Sequence, residues 1–149
     1  MPDYSWRQAN AGRILSNALR RFEDRVLELL AQAGYPETRL THVNLTRHLD
    51  LEGTRMSELA RRASMTNAAM TELIDQCVQL GLVQRQADPA DRRARVVSFT
   101  DHGRAWLDAF GVAVRQAEEE LVAILGPTHA TPLLEGLGRY GAPVESIAA

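Results

Sequence analysis

Apolar positions recur along this chain with two different periods, and the switches between them divide it. Between Ser5 and Ala33, the residues Leu15, Leu19, Phe22, Val26, Leu29 or Leu30, and Ala33 follow at steps of three and four. That spacing puts them on one face of an amphipathic helix. At about 1.5 Å per residue the helix would be roughly 40 Å long, and Gly34 and Pro36 in "AGYPE" are its stop signals. A second helix is expected from about Thr38 to Leu49, carrying Leu40, Val43, Leu45 and Leu49, with the pattern broken at Gly53.

Two shorter helical patterns follow in "MSELARRASMTNAAMTELIDQCVQLGLVQR". Ser57 is placed to cap a helix to about Ala63 that buries Leu59, Ala60 and Ala63. Thr66 is placed to cap the next, with Met70, Leu73, Ile74, Cys77 and Leu80 on one side and Gly81 as its end. Two helices separated by about three residues form a helix-turn-helix candidate. The period then changes to two: "LVQR" and "ARVVSF" read as strands, Val97 and Phe99 sharing a face, with Asp88 and Pro89 turning the chain between them. A helix-turn-helix followed directly by a two-stranded hairpin is a winged helix. Thr100 is a plausible cap for a long helix from Asp101 to Leu125 carrying Trp106, Phe110, Val114, Ala117, Leu121 and Ile124. Gly126 and Pro127 end it, and a last helix reaches about Tyr140 with Leu133, Leu134 and Leu137. The expected fold class is therefore mainly α with a small β-hairpin wing.

Composition narrows the setting. The chain has 149 residues, 45% hydrophobic and 24% charged, which suits one soluble domain with a core. No apolar run reaches the length of a membrane span and the N-terminus has no signal-peptide pattern, so a cytoplasmic location is expected. The net charge of −2 is unevenly spread. From Arg55 to Arg104 there are eight arginines against six acids, a local excess of +2 in the segment that holds the helix-turn-helix and hairpin. All 17 basic residues are arginine, whose planar fork suits phosphate and groove recognition.

The run "DPADRRARVVSFTDHG", together with "SELARR" and "GLVQR", resembles the MarR family of bacterial transcription regulators. The resemblance covers nearly the whole chain, and the D-P-x-D-R-R run ahead of an apolar-T-x-x-G helix start is its most specific part. It implies a single MarR-like domain over 1–149, with dimerisation helices at 5–34 and 101–141 around a winged helix-turn-helix lobe at 38–100. It implies double-stranded DNA as a partner, with the wing tip in the minor groove. Arg93 would be the entering side chain and Asp91 its orienting partner, with Arg92 and Arg95 near phosphates. A narrow minor groove attracts an inserted guanidinium. Thr66, Asn67, Ala68, Thr71 and Glu72 lie where a recognition helix makes base contacts: Asn reads adenine, Thr and Ala methyls touch thymine, and Glu accepts from cytosine. Thr66 to Leu80 contains no Arg or Lys but does contain Glu72 and Asp75, so Arg55, Arg61, Arg62 and Arg85 are either flanking cations that supply attraction or ordinary surface residues, the latter expected for Arg61.

The resemblance further implies a homodimer, with Leu15, Leu19, Val122, Leu125, Leu133, Leu137 and Tyr140 as interface positions. A palindromic operator with half-sites about 10 bp apart would match that symmetry. It implies a small aromatic or phenolic effector, for which Trp6, His42, Asn44, Arg47 and Trp106, with Tyr4, are candidate pocket residues. Cys77 lies on an apolar helix face and reads as a small buried hydrophobe, not a sensor. The four histidines are scattered without a carboxylate cluster, no nucleophile motif or phosphate loop occurs, and no metal, cofactor or catalytic residue is expected. The expected function is a ligand-released repressor. The recognition segment without Arg or Lys keeps open an alternative, a winged-helix dimer that serves as a protein-interaction module.

Overall fold

The computed structural model describes residues 1–143. The N-terminal segment is not one helix. A 3-10 turn, Ser5–Arg7, precedes helix α1, Ala11–Gln32. Asn10 causes the interruption: its Oδ1 accepts from the Arg13 amide at 3.0 Å while its Nδ2 donates to the Trp6 carbonyl at 2.8 Å. Asparagine is among the strongest N-caps, and with its side chain bonded to both sides the helix begins after it. At 1.5 Å per residue, α1 is about 33 Å long. Only Val26, Leu29 and Leu30 of α1 are buried, and every residue from 11 to 21 is exposed.

Helix α2, Leu40–His48, starts two residues later than expected. Thr38 lies outside it and accepts the indole Nε1–H of Trp106 at 2.9 Å. The first turn of α2 is closed by His42, whose Nδ1 accepts from the Arg39 amide at 3.0 Å. A two-residue strand β1, Thr54–Arg55, then leads straight into α3, Met56–Arg62. Ser57 consequently sits inside the first turn of α3, and Arg55 is at the cap position without a side-chain cap bond. Arg55 pairs with Val96 in a sheet, so the strand itself fixes where α3 begins and Ser57 is not the cap.

The expectation at Thr66 is met. Its Oγ1 accepts from the Ala69 amide at 3.1 Å and starts α4, Asn67–Gln79. Gly81, with φ +76°, turns the chain out of α4, a conformation glycine adopts without penalty. Strands β2, Val83–Asp88, and β3, Asp91–Phe99, form the hairpin, paired from Val83↔Phe99 to Ala87↔Arg95, with an irregularity at Ala87/Asp88. The sheet has three antiparallel strands in the order β1-β3-β2, where the sequence suggested two. Strand β1 is too short to display a period, which is why alternation could not reveal it.

Helices α5, Asp101–Leu125, and α6, Pro127–Tyr140, are the last elements among the described residues and have the expected bounds. The contacts group the residues into two compact units, 1–113 and Val114 onward. In the first, Leu30, Leu45, Leu59, Met70, Ile74, Cys77, Val83, Val97 and Trp106 are fully buried. Trp106 also stacks on Phe110 with ring centroids 5.3 Å apart. In the second, Ala117 and Ala130 are buried while Leu125, Leu133, Leu134, Leu137 and Tyr140 are exposed.

The join between the hairpin and α5 is tight. Thr100 Oγ1 donates to the Gly81 carbonyl and accepts from the Gly103 amide at 2.9 Å, so it caps α5 as expected and also ties it to the end of α4. A Cβ on Gly103 would fall 1.8 Å from the Leu82 carbonyl oxygen. The backbone of α5 therefore lies against that of Leu82, which is the physical reason for the glycine in T-x-x-G.

Candidate nucleic-acid interface

Helix α4 buries Met70, Leu73, Ile74 and Cys77. At 100° per residue, Ala68, Glu72 and Asp75 lie on the side opposite that buried stripe, with Thr71 beside them, and all four are exposed together with Thr66 and Asn67. Some of this polar chemistry is already used within the helix. The Thr66 hydroxyl is the cap acceptor, and the Thr71 hydroxyl donates to the Asn67 carbonyl at 2.8 Å.

The flanking cations are committed elsewhere, which corrects the first of the two expectations for them, that they supply free positive charge. Arg62 makes a two-pronged contact with Asp50 at 3.0 and 3.0 Å, reaches Glu58 at 3.1 Å and donates to the His48 carbonyl at 2.8 Å. Arg61 pairs with Glu58 through both prongs. Bonds from these two guanidinium groups hold the Glu58 carboxyl down to about 2, and Arg62 keeps Asp50 below the usual carboxylate range. Arg85 on β2 pairs with Asp75. Arg55 donates from Nε to Asp88 Oδ2 at 2.8 Å and approaches the same oxygen from its terminal nitrogen at 2.6 Å.

The two aspartates of "DPAD" have separate tasks in the wing. Asp88 accepts from the Ala90 amide at 2.9 Å as well as from Arg55, and both bonds lower its pKa, the amide first. Asp91 Oδ1 accepts from the Arg93 amide at 3.0 Å. Asp91, the expected orienting partner of Arg93, thus bonds to the backbone of that residue, as a short Asp side chain does two residues on in a turn. Arg92, Arg93 and Arg95 are exposed, and among the described residues their guanidinium groups have no hydrogen bond or ion pair. Three unneutralised positive charges are thus gathered on the wing.

This arrangement is a helix-turn-helix with an exposed second helix, followed by a hairpin that projects three free arginines. Residues 42–94 match the sequence model of the MarR family. The fold is that of the MarR-family winged helix. Members of this family are transcription regulators, not enzymes. The uncharacterized HTH-type transcriptional regulator YdgJ of Bacillus subtilis (strain 168) is 26% identical over 119 residues, 80% of this chain and 71% of that protein. The transcriptional repressor CouR, bound to a 23-mer DNA duplex, superposes with a TM-score of 0.70 at 23% identity, covering 95% of this chain and 99% of that one. A MarR family protein of Mycobacterium tuberculosis in complex with p-aminosalicylic acid gives 0.67 at 24% identity, covering 90% and 100%. At these identities the two structures attest the fold.

Within the MarR-family frame the other candidate residues separate by burial. Trp106 is fully buried with its indole bonded to Thr38, and His42 is buried with its Nδ1 taken by the Arg39 amide. Both serve the core of this chain. Tyr4, Trp6, Asn44 and Arg47 are the members of that candidate set that are exposed. Of the dimer candidates, Leu15, Leu19, Leu125, Leu133, Leu137 and Tyr140 are exposed and Val122 is half-buried. Cys77 is fully buried, and burial pushes its thiol up to about 11. Among the described residues, no three His, Cys, Asp or Glu side chains group to hold a metal ion, and no helix is long and apolar enough to cross a membrane. The pairings Arg55–Asp88 and Arg85–Asp75 escaped the sequence reading because their partners are 33 and 10 residues apart. Charge balance in the segment was their one visible trace.

Proposed function

We propose that this chain is a homodimeric, sequence-specific DNA-binding repressor that acts in the cytoplasm on a palindromic operator and is released by a small aromatic or phenolic ligand. The observation that carries the reading is the set of unpaired guanidinium groups of Arg92, Arg93 and Arg95 on a wing whose turn is tied to the start of α3 by Arg55–Asp88. Arg93 enters the minor groove while Arg92 and Arg95 meet phosphates, and Asp91 sets the turn from which Arg93 departs. Thr66, Asn67, Ala68, Thr71 and Glu72 face the major groove from the start of α4.

The dimer reading is supported by apolar residues left in solvent: Leu15 and Leu19 on a stretch of α1 exposed on every side, and Leu125, Leu133, Leu137 and Tyr140, with Val122 beside them, in the second unit. Large apolar side chains gathered on exposed helices mark interaction surfaces. The ligand reading draws on the relative that holds p-aminosalicylic acid, with Tyr4, Trp6, Asn44 and Arg47 as the accessible candidates here. A ligand releases DNA only through unequal affinity for the DNA-competent and incompetent states.

One observation favours a second reading, a protein-interaction module: α4 has no Arg or Lys and exposes Glu72. Fluorescence-anisotropy binding to the gene's own upstream DNA, against scrambled duplex and across a salt series, separates the two. A specific DNA reader loses about 0.9 in log K per neutralised phosphate per decade of salt. Arg93→Ala should weaken specific binding about tenfold or more, and unchanged affinity would remove Arg93 from the groove. Random-duplex selection that enriches no motif would leave the protein-interaction reading.

A further inference from the structure

We propose that Glu72 selects a cytosine in each half-site of the operator, an inference that rests on the DNA-reading assignment above. Helix α4 carries two acids, Glu72 and Asp75, on the side away from the core. The fold treats them differently. Asp75 is neutralised by Arg85, which also donates to the Thr71 carbonyl at 3.4 Å and is thereby drawn along the flank of α4. Glu72 is exposed and has no hydrogen bond or ion pair among the described residues.

The four arginines that flank the helix-turn-helix are already paired. Arg61 and Arg62 are held by Glu58 and Asp50, Arg55 by Asp88 and Arg85 by Asp75. The carboxylate of Glu72 therefore enters the groove unaccompanied. Phosphates repel it, and purine N7 and O6 and thymine O4 are acceptors that leave it unsatisfied. The cytosine N4 amine is a donor that a carboxylate accepts with correct geometry in the major groove, and adenine N6 is flanked by the repelling N7 acceptor. Beside Glu72, Ala68 is too small to supply a competing polar contact, so discrimination at this position falls to one side chain. Glu72 acts in two ways at once: it rewards a cytosine amine and it rejects every sequence that puts an acceptor there.

The test is selection from random duplex DNA by the full chain, by Glu72→Gln and by Glu72→Ala, followed by titration on the enriched sites. The wild-type motif should contain one C per half-site that discriminates about tenfold or more against other bases, the range of a good base contact. Glu72→Gln should move that position to A, since glutamine pairs with adenine N6 and N7. Glu72→Ala should erase the preference there, keep the rest of the motif, and bind random duplex more tightly than wild type because a repelling charge has gone. Both variants alter an exposed, unpaired side chain, and equal melting temperatures check that they fold. A motif left unchanged in both variants, or one that changes only at a position without C, overturns the assignment of Glu72 while DNA reading stands. A wild-type chain that enriches no motif overturns the DNA reading and this inference with it.

Discussion

Arg55 and Asp88 meet across the sheet, Nε to Oδ2 at 2.8 Å, and so join the residue that opens α3 to the residue that opens the wing turn. The pair is largely a surface one, with Arg55 about half exposed, and exposed pairs contribute little to global stability. Its value is geometric: the recognition unit and the wing are held in one frame. Arg55→Ala and Asp88→Asn are expected to leave the melting temperature nearly unchanged and to weaken operator binding several-fold, read by thermal denaturation and anisotropy. Lost stability with unchanged DNA affinity would reverse that division.

Gly103 has no room for a side chain. A Cβ there would stand 1.8 Å from the Leu82 carbonyl oxygen and 2.8 Å from its carbon, both backbone atoms that cannot rotate away. Gly103→Ala should cost about 3 kcal/mol or more, the upper end of overpacking penalties, measured by urea denaturation. Gly136, with nothing within 4 Å of its Cβ position, is the control. Alanine there should be neutral or mildly stabilising, since it is the better helix former.

His42 makes stability depend on pH. Burial is the main force that holds its imidazole below the ordinary value of 6.5, and its unprotonated Nδ1 is the acceptor for the Arg39 amide. The native state therefore binds fewer protons than the unfolded chain in this range, so stability falls as pH drops from the ordinary value through the lowered native one. Urea midpoints for wild type and His42→Asn between about pH 8 and about pH 5 test the sign. The wild-type curve should fall more steeply toward acid. Parallel curves would mean His42 stays uncharged in both states or is free to ionise in both.

Cys77 should be chemically silent. With its thiol fully buried and pushed up to about 11, almost no thiolate exists near neutrality, and the thiolate is the reactive form. A thiol reagent should label the native protein only at the rate of unfolding, and dilute peroxide should leave DNA affinity unchanged. Fast native labelling would contradict the burial.

The α-helical frame was legible because its signals are local. Thr66, Gly81, Thr100 and Gly126 each act within a few residues of the helix they start or stop, and the bounds of α5 and α6 followed from them. The failures share the opposite character. Asn10 looks like one more polar position in a helical run until its two bonds are seen. Strand β1 owes its existence to Val96 and Val97, some forty residues away in sequence. The candidate interface divides in the same way. The exposed face of α4 follows from helical periodicity, whereas which arginines are free depends on pairings such as Arg62 with Asp50, twelve residues apart. Burial separated the pocket candidates for the same reason: Trp106 meets Thr38 across 68 residues.

Strand β3 is made of two materials. From Val96 to Phe99 it lies between neighbours or against the core, with β1 and β2 on either side at Val96 and Val97, and Val97 and Phe99 buried. From Asp91 to Arg95 it pairs with β2 alone, and none of its side chains is buried. Backbone amides should exchange with solvent slowly in the first stretch and quickly in the second, because local opening follows the amount of apolar burial. Under the proposed function, the three arginines thus stand on a ribbon that DNA must still. Its ordering entropy is subtracted from every contact they make, and anything that stiffens the ribbon beforehand tightens binding without adding a contact.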